Sequence, residues 1–312
     1  MKLFCPICES EKDVDLLGAY KNRNELFDKK QLFQCSYCKL IFVHPMPSEK
    51  DLDFYYKNNW LKDETIISSS KDSILTYQIQ ADERTKYLSR YIDLAQNAKI
   101  LDVGSGFGYL YDSLKKFGLK NISFYATDSN PENLHRLKNK GIRSFPDIRE
   151  IKEHDFDLVT ICFVLEHINE PLKFMRLVVE YVKEGGYIFI DIPQRDDLFK
   201  PILEPHVTVF TSESLMNLVS KLGLGIVHIT GYGQKISTIR AELNDKKSTA
   251  TVAKTAMNNM LNEIKNLTLR SNKFDKKIKD LYMYYRFDEE GTERRWIRAI
   301  LQKPMRNVFI RT

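Results

Sequence analysis

Residues 100–110 read ILDVGSGFGYL, and the reading of this stretch decides the fold. Two apolar residues run into Asp102, after which glycine falls at positions 104, 106 and 108. The run AKILDV before the glycines has the length and apolar character of a buried strand. YLYDSLKKFG after them has helical spacing closed by Gly118. The glycines therefore occupy a strand-to-helix turn, where bare backbone can approach a nucleotide and present its N–H groups. A dinucleotide fingerprint would place its third glycine at 109; Tyr109 stands there, and the glycine comes one place early at 108. An acid does follow at the customary distance. Asp128 closes the next apolar run, ISFYATD, and a carboxylate there can accept both hydroxyls of a free ribose.

The alternation continues downstream. PENLHRLKNKG has Pro131 at its start and Gly141 at its end, the marks of a delimited helix. FDLVTICFVLEH reads as a strand entering a loop, with Cys162 as core; EPLKFMRLVVEYVKEGG reads as a helix and YIFIDIP as a strand. Upstream, residues 74–97 contain few breakers and read as helix. Strands alternating with helices specify parallel βαβ units and a doubly wound sheet, which binds ligands at the carboxyl ends of its strands. The glycines sit at such an end.

These segments carry a resemblance. Asp102-x-Gly104-x-Gly106-x-Gly108 after a first strand, Asp128 closing the second, then FDLVTICFVLEHINEP and EGGYIFIDIP, stand in the order of the class I S-adenosylmethionine-dependent methyltransferases, which residues 80–244 resemble. The resemblance implies an α/β fold with a Rossmann-like, seven-stranded sheet, in which GIVHITG and KISTIRAEL suit the terminal antiparallel hairpin. It implies an S-adenosyl-L-methionine site at Asp102, Gly104, Ser105, Gly106, Gly108 and Asp128. Asp147 and Ile148 would flank the adenine, although SFPDI departs from the family's usual form there. Methyl transfer from an activated sulfonium is an in-line displacement, so such an enzyme chiefly positions the reactants and removes the acceptor's proton.

Glu166-His167, after the fourth strand, resembles the pair in sugar C-methyltransferases, a subgroup that also carries an amino-terminal zinc domain. The same LEH recurs in relatives with quite different acceptors. His167 is a candidate base, with Glu166 orienting it or packing against the donor; the alternative is a structural or donor-contacting histidine. His206, in EPHVTVFTSESL, lies in the segment that covers the acceptor pocket in this family. It is the third candidate catalytic residue, or else a helix-entry histidine bonded to backbone. His154, in a charged loop, reads as solvated.

Four of the five cysteines form two Cys-x-x-Cys pairs, Cys5/Cys8 in CPIC and Cys35/Cys38 in CSYC. An odd total with paired spacing argues against a disulfide framework and for a metal site in a reducing compartment. Two thiol turns facing each other supply the four soft, tetrahedral ligands zinc prefers; with no position left for water, the zinc would be structural. The 26 residues between the pairs leave room for a hairpin excursion. KLIFVHPMPSEKDLDFYY then reads as a strand over 40–43, a proline-stiffened turn, and a helix entered at Ser48 with acids in its first turn. Tyr55, Tyr56 and Trp60 would form a lid over the pocket or an aromatic staple joining module to core.

At 43% hydrophobic and 12% aromatic, 312 residues can bury a substantial core. No apolar run approaches the roughly 18 residues of a membrane span, and MKLFCPICES lacks the apolar stretch of a signal peptide. A cytoplasmic protein is expected. The net charge of +6 is uneven: residues 246–312 hold 16 Lys and Arg against 7 Asp and Glu, so this tail carries +9 and the remainder −3. An anionic partner would bind there, unless the tail is a solvated helical surface. From Ser248 to Tyr285 there is no proline or glycine, and positions 253, 257, 260, 264, 267, 271, 274, 278, 281 and 285 step by four and three. That is a heptad seam with one polar member, Ser271. A helix of over about 50 Å would pair in a homodimer through residues 250–285, or fold back along its own core. Gly291 breaks it, and TERRWIRAILQ reads as a short basic amphipathic helix, able to touch an anionic carrier or a membrane surface or simply to pack.

The expected division is a zinc module over 1–50, linker helices or a lid over 51–98, the methyltransferase core over 99–244 and a helical basic tail over 245–312. The expected activity is methyl transfer to oxygen or carbon of a small molecule, a sugar or nucleotide-linked sugar of surface-polysaccharide or secondary metabolism. LFQCSYCKLIFVHPMPSEKDL supports this, being similar to the zinc-ribbon start of methyltransferases in polysaccharide and sugar clusters. The alternative is a ribosomal-RNA base methyltransferase holding phosphate with its basic tail; the knuckle region is not especially basic, and no Asn/Asp-Pro-Pro-aromatic motif is clear. A non-enzymatic interaction protein is opposed by the intact donor motif.

Overall fold

The structure, a computed structural model, describes residues 1–56, 71–248, 276, 278–282, 285–287 and 289–305. Its first strands, Lys2–Cys5 (β1), Ser10–Ala19 (β2), Gln31–Cys35 (β3) and Ile41–His44 (β4), form an antiparallel meander. Each Cys-x-x-Cys pair occupies a turn of it, between β1 and β2 and between β3 and β4, and the excursion between the pairs is the β2–β3 hairpin. Helix α1 (Glu49–Tyr55) begins as its sequence demands: the Ser48 hydroxyl accepts the Asp51 N–H, and the Asp51 carboxylate accepts the Ser48 N–H.

Helix α2 (Lys71–Tyr91) leads into Lys99–Val103 (β5), followed by α3 (Tyr109–Lys116), Ser123–Thr127 (β6), α4 (Pro131–Asn139), Arg143–Phe145 (β7), Phe156–Cys162 (β8), α5 (Pro171–Tyr181) and Val182–Pro193 (β9). All these strands pair in parallel. Side chains alternate between two faces. Leu101, Val159 and Ile190 join one buried cluster with Met175 and Val178 of α5; Ile100, Leu158 and Phe189 join the other with Leu88 of α2 and Leu110 and Leu114 of α3. The chain continues through Thr208–Val209 (β10), α6 (Ser212–Leu222), Gly225–Lys235 (β11), α7 (Ile236–Ser248), Glu290–Gly291 (β12) and Arg294–Gln302 (β13). Among the described residues the sheet runs β12-β11-β13-β9-β8-β5-β6-β7. No helix among them is long and apolar enough to cross a membrane.

Three expectations are corrected. TERRWIRAILQ is not a surface helix. Residues 294–302 form β13, antiparallel between β9 and β11, with Ile297, Ile300 and Leu301 fully buried. A strand covered on both faces loses its alternation and reads like a helix segment. Arg298 is tolerated there because its guanidinium lies over the rings of Tyr232 and Tyr87. Second, KISTIRAEL is not the hairpin partner of β11: Ile236 opens α7, and the partner is β13, far later in the chain. Third, the core therefore does not end at 244, and 245–312 is not a wholly helical tail. Of the heptad seam, Ile278, Leu281 and Tyr285 pack against Ile79, Tyr232 and Trp296 of the core. Its members from 253 to 274 lie outside the described residues.

The amino-terminal module is not a separate bead. β10 pairs with β4 and completes the module's sheet, in the order β1-β2-β3-β4-β10. Cys5, Cys8, Cys35 and Cys38 are continuous with the apolar cluster that contains Met175, Phe210 and Leu215.

Candidate active site

The glycine turn after β5 shapes one side of a cavity of about 170 Å³. Gly104 and Gly106 hold φ of +70° and +55°, the left-handed region that costs any other residue about 1–2 kcal/mol. A Cβ on Gly104 would stand 2.4 Å from Val164 Cγ2. Asp128 organises the turn: its carboxylate accepts the Gly106 N–H at 2.8 Å, the Asn130 N–H at 2.9 Å and the Asn133 side-chain amide at 3.1 Å. Burial pushes the Asp128 carboxyl up, and these N–H donors oppose the shift. Asp102 is buried, accepts the Thr160 hydroxyl at 2.6 Å, and is likewise pushed up by burial.

The opposite wall comes from α2. Arg84 donates from Nε to Asp191 Oδ2 at 2.7 Å, and its guanidinium lies over the Phe163 ring. Asp191, fully buried at the end of β9, also accepts the Tyr232 hydroxyl. Arg84 Nη2 is buried without a hydrogen-bond partner, in a residue that lines the cavity together with Asp102, Gly104, Ser105, Gly106 and Asn133. Asp128 and Gly108 stand behind that lining. Asp147 and Ile148 do not line it: Asp147 caps the turn over Ile148–Glu150 and pairs with Arg149 at 2.7 Å, while Ile148 is core. Cys162, expected in the core, packs against one of its buried clusters and also lines the cavity beside Phe163.

Two residues beyond Phe163, the turn Leu165–His167 carries the candidate catalytic pair, and the segment after β9 brings in the third candidate. The rings of His167 and His206 lie perpendicular, centroids 4.8 Å apart. Tyr56 meets His167 at 5.8 Å, edge to face, and Tyr55 packs in the module's core; Trp60 lies outside the described residues. His206 is not bonded through its ring to backbone at a helix entry: Nδ1 lies 2.6 Å from Asp196 Oδ2, and Lys200 Nζ is 3.3 Å from the same oxygen. Burial pushes Asp196 up, yet His206 and Lys200 draw it down to about 2. Burial pulls both histidines below their usual range, His167 farther, while Asp196 holds His206 partly up. Glu166 is 2% exposed, its Oε2 has no hydrogen-bond partner among the described residues, and burial pushes its carboxyl up to about 8. His154 is exposed and stacks on Tyr181.

The amino-terminal module holds this second group in place. The Tyr20 hydroxyl donates to the His206 carbonyl at 3.1 Å, and the Val43 N–H donates to the Val207 carbonyl at 3.0 Å. Glu204 accepts the Asn24 N–H at 2.9 Å and the Tyr55 hydroxyl at 3.1 Å. Within the module, Cys5 and Cys38 sulfurs lie 3.4 Å apart and Cys8 and Cys35 sulfurs 3.9 Å, all four buried and none in a disulfide. Zinc–sulfur bonds of about 2.3 Å set tetrahedral sulfurs about 3.8 Å apart, so the four thiols fit zinc. Cys38's sulfur hydrogen bond already draws the Cys5 thiol down.

Arg84, Asn133, Asp191, Asp196, Lys200 and Tyr232 were not singled out from the sequence. Asp196 and Lys200 stand four apart in QRDDLFKPILEPH, which looks like an ordinary charged loop. Arg84 lies mid-helix, and nothing local marks it.

Residues 76–229 match the family model described as a methyltransferase domain. Ubiquinone biosynthesis O-methyltransferase of Hydrogenovibrio crunogenus is 30% identical over 145 residues, 44% of this chain and 58% of that protein. The protein of the same name from Xanthomonas oryzae pv. oryzae is 32% identical over 122 residues, 36% of this chain and 49% of that protein. The chain thus spans about half the length of these relatives. The plantazolicin methyltransferase BpumL, solved with a monoazolic desmethylPZN analogue and SAH, superimposes with a TM-score of 0.50 at 15% identity, covering 82% of this chain and 97% of that one, which shows the shared fold. The segment built around the glycine turn, residues 76–229, is a methyltransferase domain of the class I, S-adenosylmethionine-dependent kind.

Proposed function

We propose that this chain transfers a methyl group from S-adenosylmethionine to a hydroxyl of a small polar acceptor, a sugar or nucleotide-linked sugar. The observation that carries the reading is the juxtaposition along one loop: β8 delivers Cys162 and Phe163 to the donor cavity and, a few residues on, Glu166 and His167 to a buried polar cluster. On the donor side, Arg84 is the cation among the cavity's lining residues, and its unpartnered Nη2 suits the donor's carboxylate. Asp102 suits the donor's ammonium group. Asp128 has acceptor capacity left for a ribose hydroxyl after its three N–H donors, since a carboxylate offers about four lone-pair sites.

On the acceptor side, Glu166, His167 and His206 surround the oxygen to be methylated. That oxygen attacks the methyl carbon opposite sulfur, the carbon–sulfur bond breaks with its electron pair going to sulfur, and the hydroxyl proton leaves through the cluster. Asp196 keeps His206 oriented for this. The lowered histidines are neutral near pH 7, as proton removal requires. Glu166 Oε2 and Gln194 Oε1 are buried acceptors without partners, which favours an acceptor rich in O–H groups. The two relatives' names, as O-methyltransferases, support transfer to oxygen. Zinc in the four thiolates would act structurally, by holding the sheet that ends in β10. The module lies outside residues 76–229 while the acceptor cluster lies within them, so the module would bear on the acceptor by bracing the loop that carries His206.

Calorimetry with S-adenosylmethionine and S-adenosylhomocysteine, followed by a screen of nucleotide sugars and of catechols with labelled donor, tests the reading. Donor binding with label passing to a nucleotide sugar is the expected result. A chain that binds neither donor nor product refutes the activity, and label passing only to catechols refutes the acceptor class.

A further inference from the structure

Glu166, His167 and His206 bring one carboxylate oxygen and two imidazole nitrogens within 4.8 Å of one another. With bonds of about 2.1 Å, neighbouring ligand atoms on one ion stand about 3.0–3.4 Å apart, so the set closes by side-chain rotations that draw its widest pair in by somewhat more than an ångström. Two further features distinguish this group from a chance meeting of polar side chains. His206 has its ring engaged from outside, Nδ1 lying 2.6 Å from the Asp196 carboxylate. Metal-bound histidines are held in this way, the outer contact fixing the tautomer and aiming the other nitrogen inward. And Glu166 Oε2, in a side chain 2% exposed, has no hydrogen-bond partner among the described residues. A buried carboxylate oxygen without a donor calls for a proton or a cation.

We propose that Glu166, His167 and His206 form a second metal site, distinct from the four cysteines, that takes a divalent first-row cation such as Mn²⁺, Fe²⁺ or Zn²⁺. Two imidazoles and a carboxylate suit these ions, and three protein ligands leave positions open for the acceptor's oxygens. Such an ion would lower the pKa of the acceptor's hydroxyl and so ease the loss of its proton through the cluster. Lys200 bears on the site directly. Its ammonium lies 3.2 Å from His206 Nε2, where it competes with an ion for the same nitrogen.

The mechanistic role of the ion rests on the methyl-transfer reading, but the site itself is tested without it. The full-length, zinc-loaded protein is titrated with Mn²⁺, which thiolates hold poorly, and the free ion is followed by electron paramagnetic resonance. About one bound Mn²⁺ per chain is expected, lost in Glu166→Gln and in His206→Asn, with S-adenosylhomocysteine binding retained in both as proof of folding. Lys200→Met should bind Mn²⁺ at least about fivefold more tightly, because a repelling charge is removed. Absence of bound Mn²⁺ in the unmutated protein, or binding unchanged in both Glu166→Gln and His206→Asn, overturns the site. Failure to bind the donor would instead count against the proposed function alone.

Discussion

Replacing Arg84 by methionine separates what holds the fold from what holds the donor. Arg84 has two charged groups to satisfy: its Nε pairs at 2.7 Å with Asp191, which is fully buried, and its Nη2 is buried without a hydrogen-bond partner in a residue that lines the cavity. Removing one member of a buried ion pair costs about 3–5 kcal/mol, because the other charge is stranded. The Tyr232 hydroxyl, 2.7 Å from Asp191 Oδ1, lessens that loss, so about 3 kcal/mol is expected. Losing a hydrogen bond to the donor's carboxylate costs about 1.5–3 kcal/mol, a dissociation constant raised roughly 10- to 150-fold. The two effects part company in Arg84→Met/Asp191→Asn. An amide in place of Asp191 strands no charge and still accepts from Tyr232, so denaturant melts should recover most of the lost stability. Calorimetry with S-adenosylhomocysteine should show the double variant as weak a binder as Arg84→Met. A double variant that binds within about twofold of the unmutated protein would refute the assignment of Arg84 to the donor.

Four further outcomes follow from the geometry. Asp196→Asn should lower kcat by about 100-fold or more. It should also shift the acidic inflection of the pH–rate profile downward, since the carboxylate raises the His206 pKa against burial and its loss leaves burial unopposed; an upward shift would contradict this. Gly104→Ala should weaken both fold and donor binding, by about 1–2 kcal/mol for its φ of +70° alone. Adding Val164→Ala, which clears the 2.4 Å approach of Val164 Cγ2, should recover only part, and full recovery would show that φ is not strained. Stripping zinc from the four thiols should release about one equivalent and abolish turnover while donor binding persists; turnover at an unchanged rate would disprove the coupling through Tyr20 and Val43. If residues 250–285 pair two copies, Met260→Glu/Leu267→Glu should halve the sedimenting mass, and an unchanged mass rules the pairing out. A chain ended near 245 would not test this, because it would also lack β13.

The glycine-turn half of the candidate site was legible because its geometry is local. Asp102, the glycines and Asp128 sit within one βαβ unit, and a strand-to-helix turn that must approach a nucleotide can be written in few ways. The cysteine pairs were legible for the same reason, since two thiols on one tight turn announce themselves. What was not legible is what the chain assembles over distance. Arg84 reaches Asp191 across 107 residues. Asp196 gains meaning only because the loop after β9 folds His206 onto it. β13 was hidden for a different reason: buried on both faces beside β9, its apolar run has no period of two, and its charged Arg298 is shielded by aromatic rings the sequence does not place nearby.

These two kinds of residue divide the molecule in a way that bears on how it would change. The wall proposed for the donor is made by segments that pack on the sheet itself, and any loosening there costs the fold. The wall proposed for the acceptor is hung between β9 and the module: Tyr20, Val43 and Glu204 tie the loop carrying Asp196, Lys200 and His206 to a sheet that holds the four cysteines in its turns. A loop braced at both ends can alter its middle residues while the braces stay. Replacements at Lys200 or Gln194 should therefore change which acceptor is taken while leaving the donor's dissociation constant within about twofold, because neither residue lines the donor cavity. Replacements at Tyr20 or Glu204 should instead lower turnover for every acceptor alike, since they move the whole loop. An acceptor-selective effect at Tyr20 would mean that the module touches the substrate itself rather than the loop that holds it.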